Sequence, residues 1–174
     1  MNTLKHQIHE LPPVPNNAGR IDRIVSRPLK GERTVLQEGV FTPEKGLLTD
    51  RWGSRPHQSN NRQVSVIRTD IIDLLAGDAD PSLSGDNLHV QLDISTGNLP
   101  VGSQLQIGTA LFELTPEKHV PCQFFEQRFG TEAFSITEDP ELANNRLRGL
   151  FLKVVKEGRV RVGDTIEVIQ RATD

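Results

Sequence analysis

From Gly19 onward, glycine and turn residues recur at short intervals between runs rich in valine, isoleucine and leucine. That punctuation leaves room mainly for short strands, so the fold class expected is mainly β. The first such run is Arg20 to Arg27. Leu88-His89-Val90-Gln91-Leu92-Asp93-Ile94 alternates strictly, as a strand with one buried face requires, and this points His89 away from the core. Leu105 and Ile107 are followed, after Gly108-Thr109, by Ala110, Phe112 and Leu114, and Gly-X is a two-residue hairpin loop in which glycine supplies a positive φ. The sets Leu150, Leu152 and Val154, then Val160 and Val162, then Ile166 and Val168 predict three short strands in a meander.

Helical signals are fewer. Thr69 to Gly77 reads as two turns, capped by Thr69 and ended by Gly77, with Ile71, Ile72 and Leu75 on the apolar face. Residues 1–18 space Leu4, Ile8 and Leu11 at helical intervals and then enter the stiff linker Pro12-Pro13-Val14-Pro15. This amphipathic segment is able to pack on the domain, to pair with a second copy in a homodimer, or to fray. Residues 19–174 are read as one domain, a length that supports a single self-sufficient core.

Composition narrows the partners. One cysteine permits no internal disulfide, and neither a signal-peptide pattern nor an apolar run of membrane-spanning length is present, so a cytoplasmic location without membrane contact is expected. A net charge of −3 argues against bulk nucleic-acid binding. Arginine outnumbers lysine 14 to 6. Arginine is the better fork for phosphate or carboxylate, although a solvated surface with local ion pairs accounts for the excess as well.

The lone Cys122 sits in Val120-Pro121-Cys122-Gln123-Phe124-Phe125, where an apolar strand hands over to a short helix. With Pro121 at the first helical position, Cys122 falls in the first turn, among unpaired amides that favour a thiolate. Cys122, Phe125 and Phe129 then share one side of the helix, and the same stripe would serve to bury the thiol as a small hydrophobe. The histidines His6, His9, His57, His89 and His119 show no metal-ligand spacing; His119, three residues before Cys122, reads as a base, an ion-pair partner or polar surface.

Seven segments in order resemble the MOSC domain, the C-terminal domain of molybdenum cofactor sulfurases that also occurs as small stand-alone bacterial proteins. They are Glu44 to Trp52, Arg62 to Ile67, Ser84 to Leu88, Leu99 to Gly108, Pro121-Cys122, Leu147 to Leu150 and Gly158 to Asp164. The resemblance spans about Gly19 to Ile169 and implies a β-barrel with a few short flanking helices. It further implies a sulfur carrier, in which Cys122 receives sulfur from a pyridoxal-phosphate-dependent cysteine desulfurase and holds it as a persulfide for an unknown acceptor. The pyridoxal phosphate belongs to that partner, because this chain has no long α/β segment with a Schiff-base lysine.

Related family members bind the molybdenum cofactor, with a cysteine at this position ligating molybdenum, or act on N-hydroxylated compounds. The alternative to carriage is therefore a barrel that binds that cofactor or another small ligand, or an interaction module with an inert cysteine. Asp50, Arg51, Gln63, Gly85, Asp86, Asn87 and Arg148 fall within the matching segments and are candidate ligand-binding residues around Cys122. Arg51 or Arg148 would stabilise a persulfide or grip an anionic cofactor tail. As structure alone, Gly85-Asp86-Asn87 is a turn, Asp50 and Arg51 pair or cap a strand end, and Arg148-Gly149 marks a bulge. Thr49 replaces the glycine that many family members carry before the aspartate, and threonine resists a left-handed turn. Without a second cysteine, sulfur release needs an external acceptor.

Overall fold

Alternation of buried and half-exposed residues places every second side chain of the central strands inside a closed barrel. The computed structural model describes residues 3–56 and 58–173. Its strands are β1 (Ala18–Ser26), β2 (Thr34–Leu36), β3 (Glu38–Thr42), β4 (Gly46–Leu47), β5 (Val64–Arg68), β6 (Leu88–Gln91), β7 (Gln104–Ile107), β8 (Ala110–Leu114), β9 (Leu150–Lys156), β10 (Gly158–Arg161) and β11 (Thr165–Gln170). The helices are α1 (Leu4–His9), α2 (Thr69–Ala76), α3 (Gln123–Phe129) and α4 (Thr131–Thr137), with short 3-10 turns between elements.

Seven strands close in the order β11-β7-β8-β9-β5-β6-β1, sealed by pairing of β1 with β11, and β2 extends β1 beyond the ring. Closure leaves no unpaired edge in those seven strands. The only parallel neighbours among the described strands are β5 and β6, and a parallel pair needs a crossover, here containing α2. Side chains such as Ile21, Val66, Leu88, Phe112, Leu152 and Ile166 fill the interior. A second apolar cluster lies outside, where Ile67 meets Ile71 and Ile72 of α2, Phe125 of α3, Ile136 of α4 and Ile8 of α1. Residues 3–17 thus pack on the barrel: Thr3 caps α1 through the His6 amide, and the Pro15 carbonyl accepts from Asp93 N.

Three sequence expectations are corrected. His89 is fully buried, because β6 is paired on both sides and α2 covers its outer face; Nδ1 accepts from Arg23 Nε at 2.9 Å. Thr69 is the first residue of α2 rather than its cap, and its hydroxyl is drawn off to Asp22 Oδ2 at 2.6 Å, so Arg68 occupies the cap position. The last three strands are not a meander. β10 leaves the barrel and pairs with β3 in a separate three-stranded sheet, because a single residue, Glu157, separates it from β9 and the chain bends there instead of turning back. The 108–109 hairpin has the expected form, with Ile107 opposite Ala110 and Gly108 at φ +57°.

Candidate functional site

At one end of the barrel a chain of buried polar side chains joins loops far apart in sequence. Asp50, 5 % exposed, caps the 3-10 turn Arg51–Ser54 by accepting from Trp52 N. Its carboxylate also accepts from Arg27 Nε (3.0 Å), Arg27 Nη2 (2.8 Å), Arg27 N (2.7 Å) and Asn87 Nδ2 (3.2 Å). Burial by itself would raise the Asp50 pKa, but the Arg27 hydrogen bonds and charge outweigh it and hold the carboxyl below its usual range. Asn87 bridges further: Nδ2 donates to the Val25 carbonyl, while Oδ1 accepts from Ser65 N. Thr49 keeps an ordinary negative φ and lends its carbonyl to Ser26 Oγ, so this loop has no need of the glycine.

The neighbouring residue Asp86 is completely buried and takes both carboxylate oxygens to Arg148 Nη1, at 3.0 and 2.8 Å. Arg148 Nη2 donates to the Ser84 carbonyl, and its guanidinium lies 4.8 Å from the Phe125 ring centroid. His119 Nδ1 stands 3.7 Å from Asp86 Oδ1, with the imidazole stacked 4.2 Å from the Phe151 ring. For Asp86 as for Asp50, burial opposes ionisation and is outweighed, here above all by the charge of Arg148, so its pKa is lowered. Gly85, at φ +79°, lets the Arg33 guanidinium lie against its backbone, where a Cβ would meet Nη2.

Arginines crowd the same end. Arg27, Arg51, Arg55 and Arg62 line a polar cleft of about 450 Å³ together with Trp52 and Phe151. Arg62 is tied to Glu117 and Arg27 to Asp50, whereas Arg51 and Arg55 have no carboxylate partner among the described residues. Burial, reinforced by the like charges of Arg128, Arg27 and Arg51, pushes the pKa of the neighbouring Arg33 down to about 10.

Cys122 is exposed. It is the N-cap of α3, in an extended conformation (φ −114°, ψ 173°), rather than a first-turn residue: its carbonyl begins the ladder by accepting from Phe125 N and Glu126 N. The stack of His119 on Phe151 holds the preceding segment off the helical path, so Pro121 stands before the cap. The apolar stripe buries Phe125 and part of Phe129 and leaves the sulfur outside. Cys122 lines neither the arginine cleft nor the cavity beside His119.

Of the residues singled out in the sequence, Asp50, Asp86, Asn87 and Arg148 are brought together, and Arg51 faces the cleft beside them. Gln63 is not part of this group. Its Nε2 donates to the Pro43 carbonyl and its Oε1 accepts from Val154 N, stitching the 43–46 turn to β9. Sequence reasoning missed Arg27, Arg33, Arg55 and Arg62; the available signal was the arginine excess itself, with Arg51, Arg55 and Arg62 within one stretch of twelve residues. His57 lies outside the described residues, and among those described no three His, Cys, Asp or Glu side chains are grouped to hold a metal ion.

A model of the MOSC domain matches residues 53–167, two thirds of the chain. This protein belongs to the MOSC domain family. Solved structures share the fold: the YuaD protein of Bacillus subtilis (21 % identity, 86 % of this chain and 94 % of that one, TM-score 0.61) and YiiM of Escherichia coli (18 %, 89 % and 72 %, TM-score 0.61). YiiM of Geobacillus stearothermophilus is 12 % identical over 88 % of this chain and 76 % of its own, with TM-score 0.62. No curated protein matches the sequence. The MOSC family is associated with molybdenum-cofactor-related function. No described helix of this MOSC domain is long and apolar enough to cross a membrane.

The buried histidines make the MOSC fold acid-sensitive. Burial lowers the His89 pKa to about 4 and the His119 pKa to about 3. In the unfolded chain both imidazoles take up protons near pH 6.5, so their contribution is complete above that pH and is lost as pH falls towards the folded values. By pH 4 the loss reaches about 3 kcal/mol for each, and Asp50 and Asp86, with lowered carboxyl pKa values, add theirs only below about pH 4. Thermal melts between pH 7.5 and 4.5 are expected to show a Tm that holds down to about pH 6.5 and falls below it; a flat profile contradicts the assignment.

Proposed function

We propose that this MOSC domain is a sulfur carrier that holds persulfide sulfur on Cys122. The observation that carries the reading is the exposure of the lone thiol at the cap of α3, between Val120 (51 % exposed) and Phe124 (44 % exposed), where a donor protein reaches it and finds apolar surface to dock on. In the loading step the Cys122 thiolate attacks the terminal sulfur of a donor persulfide. The donor S–S bond breaks, its cysteine leaves as a thiolate, and Cys122 keeps one additional sulfur atom. In the second step an external nucleophile takes that sulfur and returns the Cys122 thiolate, since no second cysteine is present to resolve it.

A second reading rests on the arginine cleft. Arg51 and Arg55, short of carboxylate partners, fit the anionic end of a phosphate-bearing ligand such as the molybdenum cofactor, whose molybdenum supplies oxygen-atom or sulfur chemistry when bound. Cys122 does not line that cleft.

Incubation with cysteine and a pyridoxal-phosphate-dependent cysteine desulfurase, followed by intact-mass measurement, tests carriage. Wild-type protein is expected to gain the mass of one sulfur atom, removable by dithiothreitol, and Cys122→Ala to gain none. Absence of the gain in the wild type, or an equal gain in the variant, overturns the proposal.

A further inference from the structure

The row of arginines continues beyond the walls of the cleft. The Arg33 guanidinium lies against the backbone of Gly85, and two residues earlier on the same turn the Leu83 carbonyl accepts from Arg128 Nη1 at 3.2 Å. Two residues after Gly85, Asn87 holds Asp50, which in turn holds Arg27 of the cleft. Arg128, Arg33, Arg27, Arg51 and Arg55 therefore share one rim, close enough that Arg128, Arg27 and Arg51 each depress the Arg33 pKa. Asp50 matches Arg27, Glu117 matches Arg62 and Asp86 matches Arg148. Among the described residues no ion pair includes Arg33, Arg51, Arg55 or Arg128, nor Glu32 and Glu126, the acidic residues beside them in sequence. Those arginines outnumber those glutamates, so the rim is locally positive on a chain of net charge −3.

Cys122 stands beside this row. His119, stacked on the cleft residue Phe151, precedes it by three residues, which span at most about 11 Å. Arg128 lies about 9 Å further along α3, with its guanidinium 5.7 Å from the centre of the exposed Phe124 ring. Arginine next to exposed aromatic and aliphatic side chains is the composition that protein interfaces concentrate. A small anion engages the cleft alone; a protein segment reaches from Arg55 to Arg128 and covers Val120 and Phe124 as well. The negative net charge disfavours an extended polyanion such as nucleic acid.

We propose that this face is the docking surface for an acidic segment of the sulfur donor, whose carboxylates pair with Arg128, Arg33 and Arg51 and whose apolar side chains cover Val120 and Phe124. The proposal rests on carriage by Cys122 and gives the donor a surface chemistry.

Two peptides test it, each carrying one cysteine as a pyridyl disulfide, flanked by glutamates in one and by glutamines in the other. The Cys122 thiolate attacks the peptide sulfur, the bond from that sulfur to the pyridyl sulfur breaks, and pyridine-2-thiolate leaves and is followed by its absorbance. Each rate is divided by that of 2-mercaptoethanol with the same peptide, which removes intrinsic differences between the two disulfides. At about 10 mM salt the acidic peptide is expected to react with wild type about tenfold faster than the neutral one, and near about 1 M salt the ratio is expected to fall towards one. Arg128→Gln and Arg55→Gln are each expected to lower the low-salt ratio about threefold. Arg159→Gln changes the net charge equally but breaks only an exposed contact with Glu38 on the separate sheet, and is expected to keep the ratio. A wild-type ratio of one, an equal fall in Arg159→Gln, or stronger protection of Cys122 by duplex DNA than by the glutamate peptide with serine in place of cysteine overturns the assignment. Wild-type protein that gains sulfur from a desulfurase yet shows a ratio of one retains carriage and loses this surface.

Discussion

Asp86→Ala is expected to lower the unfolding free energy by about 3–5 kcal/mol, the usual cost of stranding a buried charge. The Arg148 guanidinium, 8 % exposed, keeps only the Ser84 carbonyl and the face of Phe125 once the carboxylate is gone. The His119 ring loses the carboxylate that stands 3.7 Å from its Nδ1. Because domains of this size are stable by only about 5–15 kcal/mol, the variant should show a urea midpoint far below wild type. The double variant Asp86→Ala, Arg148→Met is expected to recover part of that loss, since it removes the stranded charge as well. A single-variant loss under about 1 kcal/mol, the range of an exposed pair, would show that Asp86 and Arg148 are not the buried pair described.

Gly149→Ala is expected to cost about 4 kcal/mol or more, in the exceptional tail of single substitutions. Gly149 has φ +100°, and a Cβ built there overlaps the carbonyl oxygen of Val66 in β5. Backbone on one side and backbone on the other leave no flexible side chain to yield. This close approach lets β9 start beside β5, with Leu150 opposite Val66, and delivers Arg148 to Asp86. Gly77 supplies the contrast. Its φ is also positive, at +57° with ψ −118°, yet a Cβ there meets nothing within 4 Å, so Gly77→Ala is expected to cost only backbone strain of about 1–3 kcal/mol. Chemical denaturation of the two variants side by side reads the difference, and equal losses would refute the steric account.

Much of the barrel was legible because its signals are local. Period-two burial along β7 and β8, the two-residue Gly108-Thr109 turn and the apolar face of α2 each depend on residues within one window. His89 failed for the opposite reason. A strand buried on both faces still alternates in sequence when a polar residue on its covered outer face finds a partner, and Arg23 supplies it from β1. The meander failed because Glu157-Gly158 looks like any turn, while the choice between turning back and changing sheets depends on β3 waiting on the other side. At the site, Asp50 and Asp86 were visible as turn aspartates, but Arg27, their neighbour in the network, lies 23 residues from Asp50 in sequence and has no motif to announce it.

The order of glycines, apolar runs and turn residues was enough to determine a β-rich chain, its hairpin, its family resemblance and the presence of one thiol. Those properties are additive along the chain, each set by backbone sterics and side-chain periodicity over a few positions. Which charges meet was decided only by folding. Ion pairing and burial vary with distance in space, so the neutral imidazole of His119, the sealed pair of Asp86 and Arg148, the arginine cleft and the outward position of Cys122 exist only once the barrel closes and brings β1, β5, β6 and β9 to one rim.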